Sequence, residues 1–203
     1  MIRILSFSLL AAGLAAATPA FAREPGSQAP FDEQAMMAAY QKAGAPGPEH
    51  ARLAKMAGSY DLVVRSWQAP GAPPTTETGT TVRRMSLGGR VMVEETSARM
   101  MGQPFSGVGM HGYDNVSGKH WATWNDSMST GVMLSEGTCD AQGACTYTGS
   151  WNDPITKGKV TARMTSRWTG ADTEVFEMHG PGPDGKEMKM MEITYTRRAD
   201  ASN

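Results

Sequence analysis

Beyond its first 22 residues this chain contains only four leucines, two isoleucines and two cysteines. No long hydrophobic run follows Ala17, so no later segment approaches the roughly 20 apolar residues a membrane-spanning helix needs. Lys and Arg number 19 against 20 Asp and Glu, and no basic cluster stands out, which removes the electrostatic footprint of a nucleic-acid binder. Cys-x-x-Cys is absent, and with it the usual redox motif. The four histidines, His50, His111, His120 and His179, lack zinc-site spacing, so no metal ligand set is expected. There is no Gly-x-Ser-x-Gly elbow, and Gly180-Pro181-Gly182-Pro183-Asp184-Gly185-Lys186 is a hairpin loop without the Walker pattern. No catalytic constellation and no cofactor are therefore expected.

What is present begins with a leader. Arg3 supplies a positive start, Ile4 to Ala17 an apolar stretch, and Ala20-Phe21-Ala22 a small-x-small cleavage pattern. A signal peptide over residues 1–22, cut after Ala22, is expected; the alternative is an uncleaved anchor. Losing Arg3 takes the formal charge from −1 to −2. About 180 residues remain, enough for one domain with a sizeable core.

The cysteines fit export. Cys139 and Cys145 flank Asp-Ala-Gln-Gly-Ala, which has turn chemistry, so they are expected to face each other across a hairpin and form a disulfide. A redox role is the rival reading, but nothing nearby activates a thiolate.

Residues 23–30 read as a flexible lead-in and 31–57 as a helical segment. One helix is expected from Phe31 to Ala43, ended by Ala45-Pro46-Gly47-Pro48, and a second from Pro48 to Ala57. From Gly58 to Arg197 turn signals arrive every ten to fifteen residues, among them Leu87-Gly88-Gly89-Arg90, Asp114-Asn115-Val116-Ser117-Gly118 and Pro183-Asp184-Gly185. Such punctuation predicts a meander of antiparallel strands, and a long meander must hide its edges by closing. About ten strands are expected, at 59–68, 76–87, 90–101, 104–113, 119–126, 130–138, 144–152, 158–169, 173–179 and 186–197. The fold class is thus all-β, a ten-stranded antiparallel up-and-down barrel over 58–198 after one or two short helices, with a disordered tail at 199–203.

Several turns also carry a resemblance. Pro46-Gly47-Pro48-Glu49-His50, Ala57-Gly58-Ser59-Tyr60, Leu87-Gly88-Gly89-Arg90, Gly112-Tyr113-Asp114-Asn115, Thr123-Trp124-Asn125-Asp126 and Gly182-Pro183-Asp184-Gly185-Lys186-Glu187 occur in that order. The series closes with Met191-Glu192-Ile193-Thr194-Tyr195-Thr196-Arg197. It resembles the bacterial domain-of-unknown-function family 1579 over about residues 44–197. The resemblance implies a bacterial source and hence a periplasmic or secreted location; it brings no reaction, cofactor or catalytic residue. A wider likeness is to the calycins, the lipocalin-like barrels. In these a basic residue of the last strand packs over an aromatic that opens the first; the counterparts here are Arg197-Arg198 and Tyr60.

Site candidates are few. The sixteen methionines suggest either an adaptable core filler or soft ligands for Cu(I), and their scatter over nearly every strand favours the filler. If His120 points inward, Trp124 shares its face, and His111 shares one with Phe105 and Tyr113. Alternation sends one of Glu94 and Glu95 inward, paired with Arg84 or Arg99 or else serving as an acid or base. Trp121, Trp124, Trp151 and Trp168 are expected to line walls. The candidate ligand-binding set is His111, His120, Trp124, Glu95 and His179, around a small apolar molecule held in the barrel. The competing expectation is a barrel packed with side chains that serves as an interaction or envelope-stress module, its N-terminal helix docking on a partner or on the barrel mouth.

Overall fold

A computed structural model describes residues 32–199. The expected leader, the lead-in and residues 200–203 of the expected tail lie outside the described residues. Two helices, α1 (Glu33–Gly44) and α2 (Pro48–Lys55), precede ten strands. These are β1 (Gly58–Ser66), β2 (Thr75–Ser86), β3 (Val91–Met100), β4 (Gln103–Asp114), β5 (Lys119–Asp126), β6 (Met133–Cys139), β7 (Cys145–Asn152), β8 (Lys159–Trp168), β9 (Thr173–Pro181) and β10 (Glu187–Arg197). Each strand pairs antiparallel with its sequence neighbours, and β1 pairs with β10, so the sheet closes into an up-and-down barrel. All ten expected strands are present. The largest displacement is at β6, which begins at Met133, because Asn125 Nδ2 donates to the Gly131 carbonyl and the Ser129 hydroxyl accepts from Gly131 N, fixing a loop ahead of it.

Pro48 sits at the start of α2, where its missing N–H costs no hydrogen bond, and His50 Nδ1 accepts from Gly47 N at 3.1 Å. The joint between the helices is tied to two turns. Asn115 donates to the carbonyls of Ala43 and Ala45, and Arg90 Nε donates to that of Gly44. Two of the turn segments that carry the family resemblance, those ending in Arg90 and Asn115, thus hold the helical segment. α2 packs on β2, β3 and β4 at the end of the barrel where β1 begins, with its own His50 and Leu53 buried.

At that same end Tyr60 is fully buried, and its hydroxyl donates to the Met56 carbonyl at 2.8 Å. Arg197 stacks 4.9 Å above the Tyr60 ring and donates to the carbonyls of Ala57 and Lys55. Gly58, at φ +146°, makes this possible, because a Cβ there would fall 2.4 Å from an Arg197 guanidinium nitrogen. The last strand is therefore latched over the first, as the likeness of Tyr60 and Arg197 to the barrel pattern implied. Tyr60, Leu62, Val64 and Tyr195 form the buried core, with Trp168, Phe176, Met191 and Ile193 packed against it. Cys139 and Cys145 are directly opposed across the β6–β7 hairpin and are bonded as a disulfide.

Candidate functional site

Alternation decides what the barrel encloses. On β3 the buried residues are Met92, Glu94 and Thr96, while Glu95 and Ser97 face solvent. On β4 the buried positions include Phe105, Gly107 and Gly109, with Ser106, Val108 and Met110 outside. His111 continues the inward face of β4, and His120, Ala122 and Trp124 are the inward residues of β5. Together these walls enclose a cavity of about 610 Å³, bordered by Arg52 and Leu53 of α2 and by Met56 just after it at one end, and by Met100, Asp126 and Val132 at the other.

The cavity has two levels. In the half away from α2, Trp124 lies opposite Met133 in the β5–β6 register, and its ring stacks on Phe105 with centroids 6.4 Å apart and planes 18° from parallel. Trp124 lies flat on the wall because a Cβ at Gly107 would fall 2.3 Å from its ring. Its indole N–H donates to Asp126 at 3.0 Å. On the facing strands Met164, Met178 and Met191 stand side by side, since the register pairs Met164 with Met178 and Met178 with Met191. Aromatic faces thus look across at flexible thioethers, a wall that adapts to the shape of an apolar guest.

The half nearer α2 is polar. Arg83 Nε donates to Glu94 at 3.0 Å and its Nη1 donates to Glu174 at 2.5 Å; all three side chains are at least 96% buried. Arg83 is also clasped between aromatic rings, 5.0 Å from the centroid of Tyr60 and 4.4 Å from that of Tyr195. Ser166 donates a short hydrogen bond to Glu174. Burial alone would raise the Glu94 pKa, but the Arg83 charge and the nearby His111 outweigh it and hold the carboxyl at about 2. Burial pushes the Tyr147 phenol up to about 12, so this cavity-lining hydroxyl stays neutral.

Two histidines each approach a glutamate here. His111 Nε2 lies 3.3 Å from Glu94 Oε2, without the alignment of a hydrogen bond. His120 Nε2 lies 3.3 Å from Glu49 of α2, and its ring meets Tyr113 edge-on at 4.9 Å. Burial lowers the His120 pKa, against the opposing pull of Glu49. His120 Nδ1 and the Ser135 hydroxyl are buried with no hydrogen-bond partner.

Of the candidates read from sequence, His111, His120 and Trp124 line the cavity together. Glu95 does not. It faces solvent and binds Arg84 at 3.0 Å, while Glu94 takes the inward place and pairs with Arg83 rather than with Arg84 or Arg99. The register explains the exchange: Arg83 is opposite Glu94, so the doublets Arg83-Arg84 and Glu94-Glu95 each send one member in and one out. His179 is also outside the cavity. The inward residues of β9 are Glu174, Phe176 and Met178, which turns His179 to a shallow outer depression beside Arg163 and Glu187. Trp124, Trp151 and Trp168 line the cavity; Trp121 instead packs over Gly112, and is not among the lining residues. Arg83, Glu174 and Ser135 were not anticipated, although the two charged doublets carried a signal for the first.

Fold and site define a closed ten-stranded barrel with an internal cavity, apolar at one level and polar at the other. The profile of the family described as "Protein of unknown function (DUF1579)" matches residues 45–197, and the chain belongs to that family. Among solved structures it is similar to Rv2717c from M. tuberculosis, at 14% identity and a TM-score of 0.59, over 76% of this chain and all of that one. That likeness is one of fold. A redesigned β-barrel aligns at 11% identity and a TM-score of 0.39, over 72% of this chain and 95% of the other. No curated protein sequence matches significantly.

Proposed function

We propose that this protein is an exported carrier or receptor that holds a small, mainly apolar molecule inside its barrel. The observation that carries the reading is the cavity: about 610 Å³ of continuous space walled by Phe105, Trp124, Trp151 and the Met164–Met178–Met191 row. That is the size and character of a small-ligand pocket. It weighs against a barrel filled by its own side chains, the arrangement an interaction module would have. Burial of apolar ligand surface supplies the affinity, at roughly 25 cal/mol per Å² before ordering costs. Export, to the periplasm or beyond, is supported by the leader pattern in residues 1–22 and by the Cys139–Cys145 disulfide, which an oxidising compartment favours.

Native mass spectrometry of protein purified from its own envelope tests the reading, together with titration of a neutral apolar dye. A co-purifying small molecule, or dye binding that apolar compounds displace, is the expected result. If nothing co-purifies and no dye binds, the carrier reading fails.

A further inference from the structure

The polar level of the cavity indicates which head group the guest carries, an inference that rests on the carrier reading. The β4–β5 register places His111 beside Ala122, and the β5–β6 register places Ala122 beside Ser135. His111, Ala122 and Ser135 therefore form one inward row, which Gly149 and Ala162 continue around the wall. Ala122 leaves space at this level between the His111 and Ser135 side chains, whereas the place above Gly149 is taken by Met164 and Ser135. His120 lies one step nearer α2 on the same face of β5.

The hydrogen-bonding capacity of the histidines at this level is that of acceptors, while the Ser135 and Tyr147 hydroxyls can both donate and accept. Glu94 is ionised and accepts only, so the favourable tautomer of His111 places its hydrogen on Nε2, toward that carboxylate, and leaves a lone pair on Nδ1. By the same reasoning His120 directs Nε2–H to Glu49 and keeps a lone pair on Nδ1, the atom that is buried without a partner. His120 as a residue is 5% exposed and Ser135 is 6% exposed, so their unpartnered atoms carry a desolvation cost that a guest or a bound water must offset.

The charges around the site point the same way. Arg83 faces two carboxylates, Glu94 and Glu174, leaving a formal surplus of one negative charge. Its guanidinium, wedged between Tyr60 and Tyr195, is not free to receive an anion. The other cations bordering the cavity are engaged or in water. Arg52 is held by Glu49 and the Asp140 carbonyl, Lys55 is exposed, and Arg99 donates to the Gly102 carbonyl at the far rim. A fatty-acid carboxylate would enter this level with no free cation to meet it.

We infer that the natural guest is an amphiphile with an apolar body and an uncharged or cationic head group that donates hydrogen bonds, a hydroxyl or an amine. The head sits among His111, His120 and Ser135, and the body lies between Trp124 and the methionine row.

Competition against bound Nile red by 1-dodecanol, dodecylamine and dodecanoate at pH 8 tests this, because the three share one chain and differ only in the head. The alcohol and the amine should displace the dye at concentrations about tenfold lower than dodecanoate, the ratio one hydrogen bond of about 1.4 kcal/mol yields. Ser135→Ala and His120→Phe should each raise the alcohol concentration needed to displace the dye relative to that of dodecanoate, while Ser97→Ala, on the solvent face of β3, should leave dye affinity within about twofold; Ser135→Ala, an isosteric loss of one hydroxyl, serves if His120→Phe does not fold. Dodecanoate competing as well as the alcohol would overturn the head-group inference while leaving the carrier reading intact. So would Ser135→Ala and His120→Phe proteins that bind the alcohol as wild type does. Failure of Nile red and all three amphiphiles to bind would overturn both.

Discussion

Arg83 on β2 and Glu174 on β9 are hydrogen-bonded through the barrel interior, although β1 and β10 stand between their strands in the wall. With Glu94, Thr81 and Thr96 they make a polar knot inside the fold. A buried ion cluster of this kind contributes little net stability relative to well-packed apolar residues, yet losing one partner strands the rest. Arg83→Met should therefore cost about 3–5 kcal/mol. The triple replacement Arg83→Met, Glu94→Gln, Glu174→Gln should recover most of that. Urea unfolding monitored by tryptophan fluorescence measures both. An Arg83→Met protein as stable as wild type would show that the knot is not the constraint its geometry suggests.

Acid should destabilise the fold in two stages. His120 has a folded pKa below its ordinary 6.5, burial being the main cause, with Arg52 and His50 adding to it and Glu49 opposing; Tyr113 packs on its ring. A depressed histidine stays neutral in the fold while the unfolded chain takes up a proton, so stability declines as pH falls below about 6.5. Glu94 acts lower. Its contribution is complete above the ordinary value of 4.5 and is lost as pH falls toward about 2. Unfolding midpoints measured between pH 8 and pH 3 should show both declines, and His120→Gln should flatten the upper one while sparing the lower. An unchanged upper slope in that protein would assign the titration to another group.

The disulfide closes a short loop, so its effect on stability should be modest. The chain-entropy estimate for Cys139–Cys145 is about 2 kcal/mol. Reduction, or the double change Cys139→Ser with Cys145→Ser, should lower the unfolding free energy by that amount and leave the barrel closed. Unfolding with and without reductant gives the number, and far-UV circular dichroism checks closure. Loss of the sheet signal would make the staple a requirement for folding.

Strand number, barrel closure and the disulfide were legible in the sequence because each follows from local chemistry. Turn residues mark the strand ends, and the hairpin between Cys139 and Cys145 is only five residues long. That His120 shares a face with Trp124, and His111 with Phe105 and Tyr113, was legible too, since a period of two puts same-face residues an even number apart, although which face turns inward was not. Facing was not legible where a strand offered polar residues on both sides. Glu94 and Glu95 are adjacent and chemically equal, and only the pairing of Arg83 with Glu94 across β2 and β3 decides which goes in. His179 follows the same logic, because β9 is half-buried on both faces and its pattern does not announce a direction. The link from Arg83 to Glu174 was beyond reach, as it depends on closure bringing β2 near β9 rather than on any spacing.

Ala122 offers the most direct test of whether the cavity is used. It lies on the inward face of β5, between His111 and Ser135 in the register, and borders the cavity. Phenylalanine at this position would project into space that is unfilled in the fold, so the overpacking cost of 1–3 kcal/mol typical of a dense core should shrink to about 1 kcal/mol or less. The same ring would occupy the level where head and body of a guest meet. Ala122→Phe should therefore weaken binding of a neutral apolar dye at least about tenfold while the unfolding midpoint barely moves. Ala98→Ser, a smaller change elsewhere on the lining, should leave the dye affinity within about twofold. A destabilised Ala122→Phe protein that still binds dye would mean the space is smaller than it looks and the dye sits elsewhere. A stable one that has lost the dye would place the site inside the barrel, at the junction of its apolar and polar halves.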